Sequence, residues 1–271
     1  MNIRFIMMAF MAIIWMPHAR GQELFVYSEP ASNMPTHSVG IRLSNWLMGE
    51  TNTAKINYHM IPELMWGVNK NLMLHAEGFL SNRNKGMGME GGAVYAKYRF
   101  YSKDDMYKHF RMAAFGRIST NNADIHQEEI ETNGHNSGFE LGLIGTQLLH
   151  KTALSFTASY EHASDNANSN EYPVAQTNKA INFSLSAGHL FLPVKYTSYK
   201  QTNFNFMVEA IGQYHPEDGK VFIDLAPAAQ LIFNSQTRVD IGYKFELTGN
   251  MSRTAPNGLL VRVEHLLFNV L

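Results

Sequence analysis

The 271-residue sequence contains no cysteine. That excludes a disulfide scaffold, a thiolate zinc site, a cysteine nucleophile and lipoprotein anchoring through an N-terminal Cys. Charged residues make up only 17%, against ~25% in soluble domains. A formal net charge of -1 provides no broad basic field, so no nucleic-acid partner is expected. Beyond residue 21 no apolar run approaches the ~20 residues of a membrane helix, and no stretch carries the periodicity of an amphipathic helix. Also missing are a phosphate-cradling glycine loop, a metalloprotease helix and a dinucleotide fingerprint. No cofactor is expected. A membrane protein with these absences has to cross with strands.

The chain opens on a targeting pattern. Arg4 precedes an apolar run over 5–15, and Ala19-Arg20-Gly21 places small residues at the -3 and -1 positions of a cleavage site before Gln22. This is the layout of a secretory signal peptide over 1–21. Its removal takes away two arginines and no acid, which lowers the net charge from -1 to -3. Residues 22–35 then read as a periplasmic N-terminal segment, and 36–271 as one all-β unit.

Strands that line a membrane barrel alternate lipid-facing and lumen-facing residues over ~10 positions. In 239–247 (Val-Asp-Ile-Gly-Tyr-Lys-Phe-Glu-Leu) every odd position is apolar and every even one polar or glycine. Leu154, Phe156, Ala158 and Tyr160 oppose Ser155, Thr157, Ser159 and Glu161. The same test predicts twelve strands, over 36–48, 54–66, 72–81, 91–102, 107–119, 137–148, 152–163, 178–191, 203–215, 219–233, 237–248 and 258–271. Short turns broadly alternate with long polar loops such as 120–136 and 164–177, as periplasmic turns alternate with extracellular loops. Alternation also averages the mean hydropathy to -0.21, a value that by itself looks soluble. A β-sandwich would alternate too. Its strands are usually ~5–6 residues, and it would bury a shared core where this pattern places charge. The expected fold is therefore a transmembrane antiparallel up-and-down β-barrel of about twelve strands in the cell outer membrane. The partners expected of it are outer-membrane lipids and the barrel-assembly machinery.

Several stretches carry a resemblance: Ser28-Glu29-Pro30-Ala31-Ser32-Asn33-Met34-Pro35, Glu63-Leu64-Met65-Trp66-Gly67-Val68, Ala96-Lys97-Tyr98-Arg99-Phe100-Tyr101, Thr197-Ser198-Tyr199-Lys200-Gln201-Thr202-Asn203 and Arg253-Thr254-Ala255-Pro256-Asn257-Gly258. In these the mature chain resembles a family of uncharacterised outer-membrane β-barrels of Bacteroidota genomes. The resemblance implies fold and location and no activity.

The polar parity places Lys97, Arg99, Arg111 and Arg117 on neighbouring strands, with Glu209 and Asp224 roughly across the barrel. Asp240, Lys244, Glu246, Arg262 and Glu264 follow on the last two strands. A basic wall facing an acidic one sets up a transverse field that filters small polar solutes by charge. This points to a porin- or transporter-like barrel. An alternative is a plugged interior in which charges pair, such as Asp240 with Arg262 or Lys244 with Glu264, within a structural or surface-interaction barrel. A further alternative is a lipid hydrolase. Tyr160-Glu161-His162-Ala163-Ser164 resembles the His-x-Ser motif of outer-membrane phospholipase A and lipid A deacylase, where a His activates a Ser on the lipid-facing wall. Here Asn178 or Glu171 is the candidate third member. Methionines and histidines such as Met87, Met89, His126 and His135 show no spacing diagnostic of a closed metal site, so no metal is expected. The size also excludes a plug-bearing receptor of ~22 strands.

Overall fold

The computed structural model describes residues 25–50, 55–83, 86–106, 108–195, 198 and 200–270. The targeting pattern of 1–21 lies outside them. Twelve antiparallel strands close into one barrel: β1 (Ser38–Gly49), β2 (Ile56–Gly67), β3 (Leu72–Ser81), β4 (Gly88–Asp104), β5 (Lys108–Asn121), β6 (Ser137–Leu149), β7 (Thr152–Ser164), β8 (Lys179–Leu192), β9 (Asn203–Tyr214), β10 (Val221–Phe233), β11 (Thr237–Gly249) and β12 (Asn257–Leu267). Each strand pairs with its neighbour in sequence. The ring is closed by β1 against β12, with Val39 opposite Leu267 and Gly49 opposite Asn257.

The alternation seen in the sequence is the alternation of exposure. In β7, Leu154, Phe156 and Tyr160 are exposed while Ser155, Ser159 and Glu161 are buried. In β1, Ile41, Leu43 and Leu47 face out while Arg42 and Ser44 face in. Leu64, Val94, Ile118, Leu141, Leu185 and Ile241 extend the outward apolar band around the barrel. In water such a continuous patch marks an unfilled interface. In hydrocarbon it is the stable surface, and a closed ladder leaves no unpaired sheet edge there. The chain is an outer-membrane β-barrel.

The expected strands agree with the observed ones to within three residues, except at the end of β12. There Asn269 takes a left-handed φ of 54° and the Val270 N–H donates to the His37 carbonyl, one residue out of step with the β1–β12 pairing, so the regular ladder stops at Leu267. The start of β4 lies three residues early because Glu90 forms a bulge opposite Phe79 and Leu80, buried and bonded to the Ser81 hydroxyl. Tight turns join strands at one end of the barrel, apart from the longer connection 193–202 between β8 and β9. Between the paired Phe233 and Thr237 three residues make the turn, Asn234 and Ser235 left-handed (φ 52° and 57°) and Gln236 donating its N–H back to the Phe233 carbonyl at 3.0 Å. Longer loops occupy the other end.

The interior is not an open tube. Residues 25–35, expected as a segment ahead of the barrel, run inside it on the short-turn side, which is the periplasmic side in barrels of this type. From the opposite end the loop 122–136 folds inward. Gly138, just after it, has φ 147°, and a Cβ there would lie 2.0 Å from the His162 carbonyl oxygen. Only glycine allows the loop to re-enter the wall so tightly.

Candidate solute chamber

The floor of the site is the N-terminal segment. Glu209 of β9 is fully buried and accepts three successive backbone N–H groups, from Val26 at 2.9 Å, Tyr27 at 2.8 Å and Ser28 at 2.9 Å. The hydroxyls of Ser28 and Ser186 donate to the same carboxylate at 2.6 and 3.0 Å. From β4, the fully buried Lys97 donates through Nζ to the carbonyls of Pro30 and Ser32 at 2.7 and 2.9 Å. The Ala31 N–H donates to Thr146 Oγ1 at 2.9 Å, Arg42 reaches Glu29 at 2.7 Å, and Arg111 donates to Ser32 Oγ at 2.8 Å. Irregular backbone at membrane depth must find its hydrogen bonds on protein. Two buried charges of opposite sign provide them: the anion takes N–H groups and the cation takes carbonyls.

The roof is the loop 122–136. Gln213 of β9 clasps Ile130, accepting its N–H at 2.9 Å and donating to its carbonyl at 2.7 Å. The Thr132 N–H donates to Glu161 of β7 at 2.6 Å. Arg253, from the loop 250–256, binds Glu129 at 2.8 Å, Asp224 at 2.7 and 2.8 Å through two guanidinium nitrogens, and Glu246 at 3.1 Å, over the ring of Phe222. Asn166, in the loop 165–178, donates to the Ala123 and His135 carbonyls at 2.8 and 3.1 Å and accepts the Ser137 N–H at 2.7 Å. Three loops are thus tied into one cap.

Between floor and roof lies a chamber of about 240 Å³. Its β6–β8 side is polar, with Glu140, Ser159, Glu161, Asn182 and Ser184. Aromatic rings complete the lining, Phe115 and Tyr95 on the β4–β5 flank, Phe222 on β10 and Trp46 on β1. A vestibule of about 30 Å³ lies toward the loop end, bordered by His59, Arg83, Gln127 and His135. Both cavities are lined by Trp46, Glu129, Glu131, Asn133 and Lys244, which form the neck between them. At this neck the Glu131 side chain is 40% exposed, but to the lumen. Enclosure by wall and loop, with Glu129 beside it, pushes its carboxyl up from 4.5 to about 7, against the pull of Lys244, Arg83 and Arg253. For Glu129 burial acts in the same upward sense and is the largest single effect, but Arg253, Lys244 and His215 together outweigh it and hold the carboxyl below its ordinary range.

Of the residues singled out by parity, Arg117 and Lys244 line this chamber. Arg117 pairs with Glu77 at 3.3 Å and Glu140 at 3.0 Å, and Lys244 lies 3.5 Å from Asp224. Lys97, Arg111 and Glu209 grip the N-terminal segment, and Asp224 and Glu246 hold Arg253. Glu264 joins Arg42 at 2.7 Å and Arg238 at 2.8 Å. Arg99 lies at the short-turn rim, donating to the Lys70 carbonyl. The basic and acidic walls therefore do not face each other across an empty pore; the N-terminal segment bridges them. The two anticipated pairs also differ. Asp240 is opposite Arg262 in the ladder, yet its ion pair is with Arg238 at 3.2 Å, and Arg262 donates to Ser44 Oγ at 3.0 Å. Lys244 cannot reach Glu264, because Glu264 is in register with Arg238, six residues or ~20 Å along the strand. Sequence reasoning missed Gln213, Trp46, Asn166 and Arg253. The first two carry the inward parity of their strands, whereas the last two lie in loops, where no periodicity marks them.

His162 and Ser164 lie on the outer wall, as parity requires, with Ser164 exposed. The His162 ring packs on Phe139 with centroids 5.4 Å apart. Among the described residues no hydrogen bond joins the two, and none reaches His162 Nδ1. Glu63, His75 and Glu77 bring ligand atoms within 4.8 Å of one another. Arg42 at 3.3 Å from Glu63 and Arg117 at 3.3 Å from Glu77 already neutralise both carboxylates, which makes the trio part of an ion-pair network.

No protein-family model matches the chain, and no curated protein is similar to it in sequence. Similar folds occur among solved structures. An outer membrane channel from Pseudomonas putida F1 is 11% identical, with a TM-score of 0.59 over 90% of this chain and 100% of that one. OprD of Pseudomonas aeruginosa is 9% identical (TM-score 0.38; 90% of this chain, 99% of that one). OmpF of Salmonella typhi is 9% identical (TM-score 0.37; 85% and 96%). At 11% identity the likeness to the Pseudomonas putida channel is one of fold.

Proposed function

We propose that this barrel passes small polar solutes across the outer membrane. A solute enters at the loop end through the vestibule, which at about 30 Å³ holds a water or two and has to widen as the roof loop shifts, then crosses the neck of Trp46, Glu129, Glu131, Asn133 and Lys244 and reaches the chamber. The N-terminal segment closes the way to the short-turn end and has to shift for release. The observation that carries this reading is the sharing of five lining residues by two cavities stacked along the lumen. Lipids meet the outward apolar band, and the barrel-assembly machinery inserts the chain. A second reading, a structural or surface-interaction barrel with a filled interior, is favoured by the many ion pairs and the bound segment below the chamber. A hydrolase built on His162 and Ser164 has less support, since the pair lacks a mutual hydrogen bond.

Solute passage is testable by swelling of liposomes containing the purified barrel, with small sugars and amino acids as osmolytes. The wild type is expected to admit them slowly. Glu209→Ala, which strips three backbone N–H groups of their acceptor, loosens the floor and speeds swelling by roughly an order of magnitude, because each charge-assisted bond is worth ~1.5–3 kcal/mol. Absence of swelling in both proteins would favour the filled, structural barrel.

A further inference from the structure

Glu140 of β6 and Glu161 of β7 are direct cross-strand partners, both buried and both lining the chamber. Like charges placed opposite each other on one face of a sheet destabilise it. Glu140 has an answer, since Arg117 sits 3.0 Å from it. Glu161 has none: its oxygens accept from the Thr132 N–H and the Asn182 amide, both at 2.6 Å, and among the described residues no cation lies within ion-pair distance. The cations that line the chamber are engaged elsewhere, Arg117 with Glu77 and Glu140, Lys244 with Asp224. An unpaired buried carboxylate is costly unless a proton or a counter-charge neutralises it, and a bound cation competes with the proton for the same oxygens.

A second observation is independent of charge. The hydroxyls of Tyr27, Tyr95, Thr157 and Ser184 line the same chamber and have no hydrogen-bond partner among the described residues. Tyr95 and Ser184 are only 2% and 7% exposed. Buried polar groups in folded proteins nearly always have partners, and exceptions cluster where something else binds. The rings of Trp46, Tyr95, Phe115 and Phe222 also line the chamber and offer apolar surface to a hydrocarbon body; Lys244, Arg117 and Arg253 already lie over Trp46, Tyr95 and Phe222, so the partner left for an ammonium is the acid and not a ring face. The volume, about 240 Å³, is just below the ~300 Å³ lower end for ligand pockets, so the ligand is compact.

We propose that the chamber is a binding site for a small organic cation, an amine whose ammonium sits on Glu161 and whose hydrocarbon body lies against the aromatic rings. Glu131, at the neck, is the acid such a cation meets first. This deepens the solute-passage reading by naming a substrate class, and it rests on that reading only for how the cation arrives.

The test is calorimetric titration of the purified full-length barrel in detergent with benzylammonium, and separately with benzyl alcohol, its uncharged counterpart, each corrected for empty micelles. Benzylammonium is expected to bind at least ~10-fold more tightly than the alcohol. Glu161→Gln is expected to lower the ammonium affinity by ~10-fold or more while leaving the alcohol unchanged. Glu131→Gln, altered in a loop and not in the wall, is expected to lower it ~2–5-fold, and it serves as the deciding variant where Glu161→Gln does not fold. Equal binding of amine and alcohol, no amine binding, or full amine affinity in a folded Glu161→Gln overturns the proposal; so does unchanged affinity in Glu131→Gln. Swelling of liposomes without amine binding sinks this inference and leaves solute passage standing. Amine binding without swelling does the reverse.

Discussion

Arg253 shows how much one side chain organises. It stands at the end of the barrel where three loops meet, and its guanidinium holds Asp224 with two nitrogens and Glu129 with two, over the Phe222 ring. The planar fork suits this arrangement and an ammonium does not. Arg253→Ala leaves the fully buried Asp224, among the described residues, with Lys244 at 3.5 Å as its remaining ion-pair contact. The expected loss is ~3 kcal/mol, read as a lower midpoint in thermal or urea unfolding. Loop 122–136 is expected to become protease-sensitive, and Arg253→Lys to restore less than half of the loss. A fall of under ~0.5 kcal/mol would show that the latch is dispensable. Single residues were legible only where a strand's period placed them. Their strands' period makes Lys97 and Glu209 inward wall charges, and both lie buried on the wall of β4 and β9. That a backbone segment would lie between them depends on hydrogen bonds across 183 positions of sequence (Val26 to Glu209), and no local pattern encodes those.

At the scale of elements, the strands and the inserted pieces obey different rules. Each strand is specified by period-two alternation, so its existence and its facing are visible in ten residues. The loop 122–136 reads as polar and long, which says surface. It folds inward because Gln213, Glu161 and Arg253 satisfy its backbone and acids there. Its seat carries a pH signature. The Glu131 carboxyl is raised from 4.5 to about 7, so the folded loop binds a proton more readily than the free chain does. That contribution to seating is fully present below the unfolded value and is lost as pH rises through about 7. The same titration changes the charge of the neck, where Glu129, Lys244, Arg83 and Arg253 also act. Cation-over-anion permeability, measured as reversal potential in a salt gradient, is expected to fall as pH drops from 8 to 6. Glu131→Gln is expected to remove that step. A pH-independent ratio in the wild type would rule Glu131 out as the charge of the neck.

Across the whole molecule the dominant fact is which solvent each face meets. Leu185, mid-strand in β8 and 65% exposed, touches hydrocarbon. Leu185→Arg is expected to cost ~2–4 kcal/mol in urea-dependent folding into lipid vesicles. A near-neutral effect would mean that this face does not meet the bilayer. The sequence alone determined the number of strands, their ends to within a few residues, and which face of each is greasy, because hydrocarbon outside and a polar lumen inside impose one choice at every position. It determined which wall side chains point inward, Arg117 and Lys244 among them, but not the chamber they enclose. The floor comes from residues 25–35, the roof from a loop, and the wall acids and aromatic rings from strands far apart in the chain. Only ring closure sets the distances among them, and only those distances decide that Arg117 answers Glu140 while Glu161 is left without a cation.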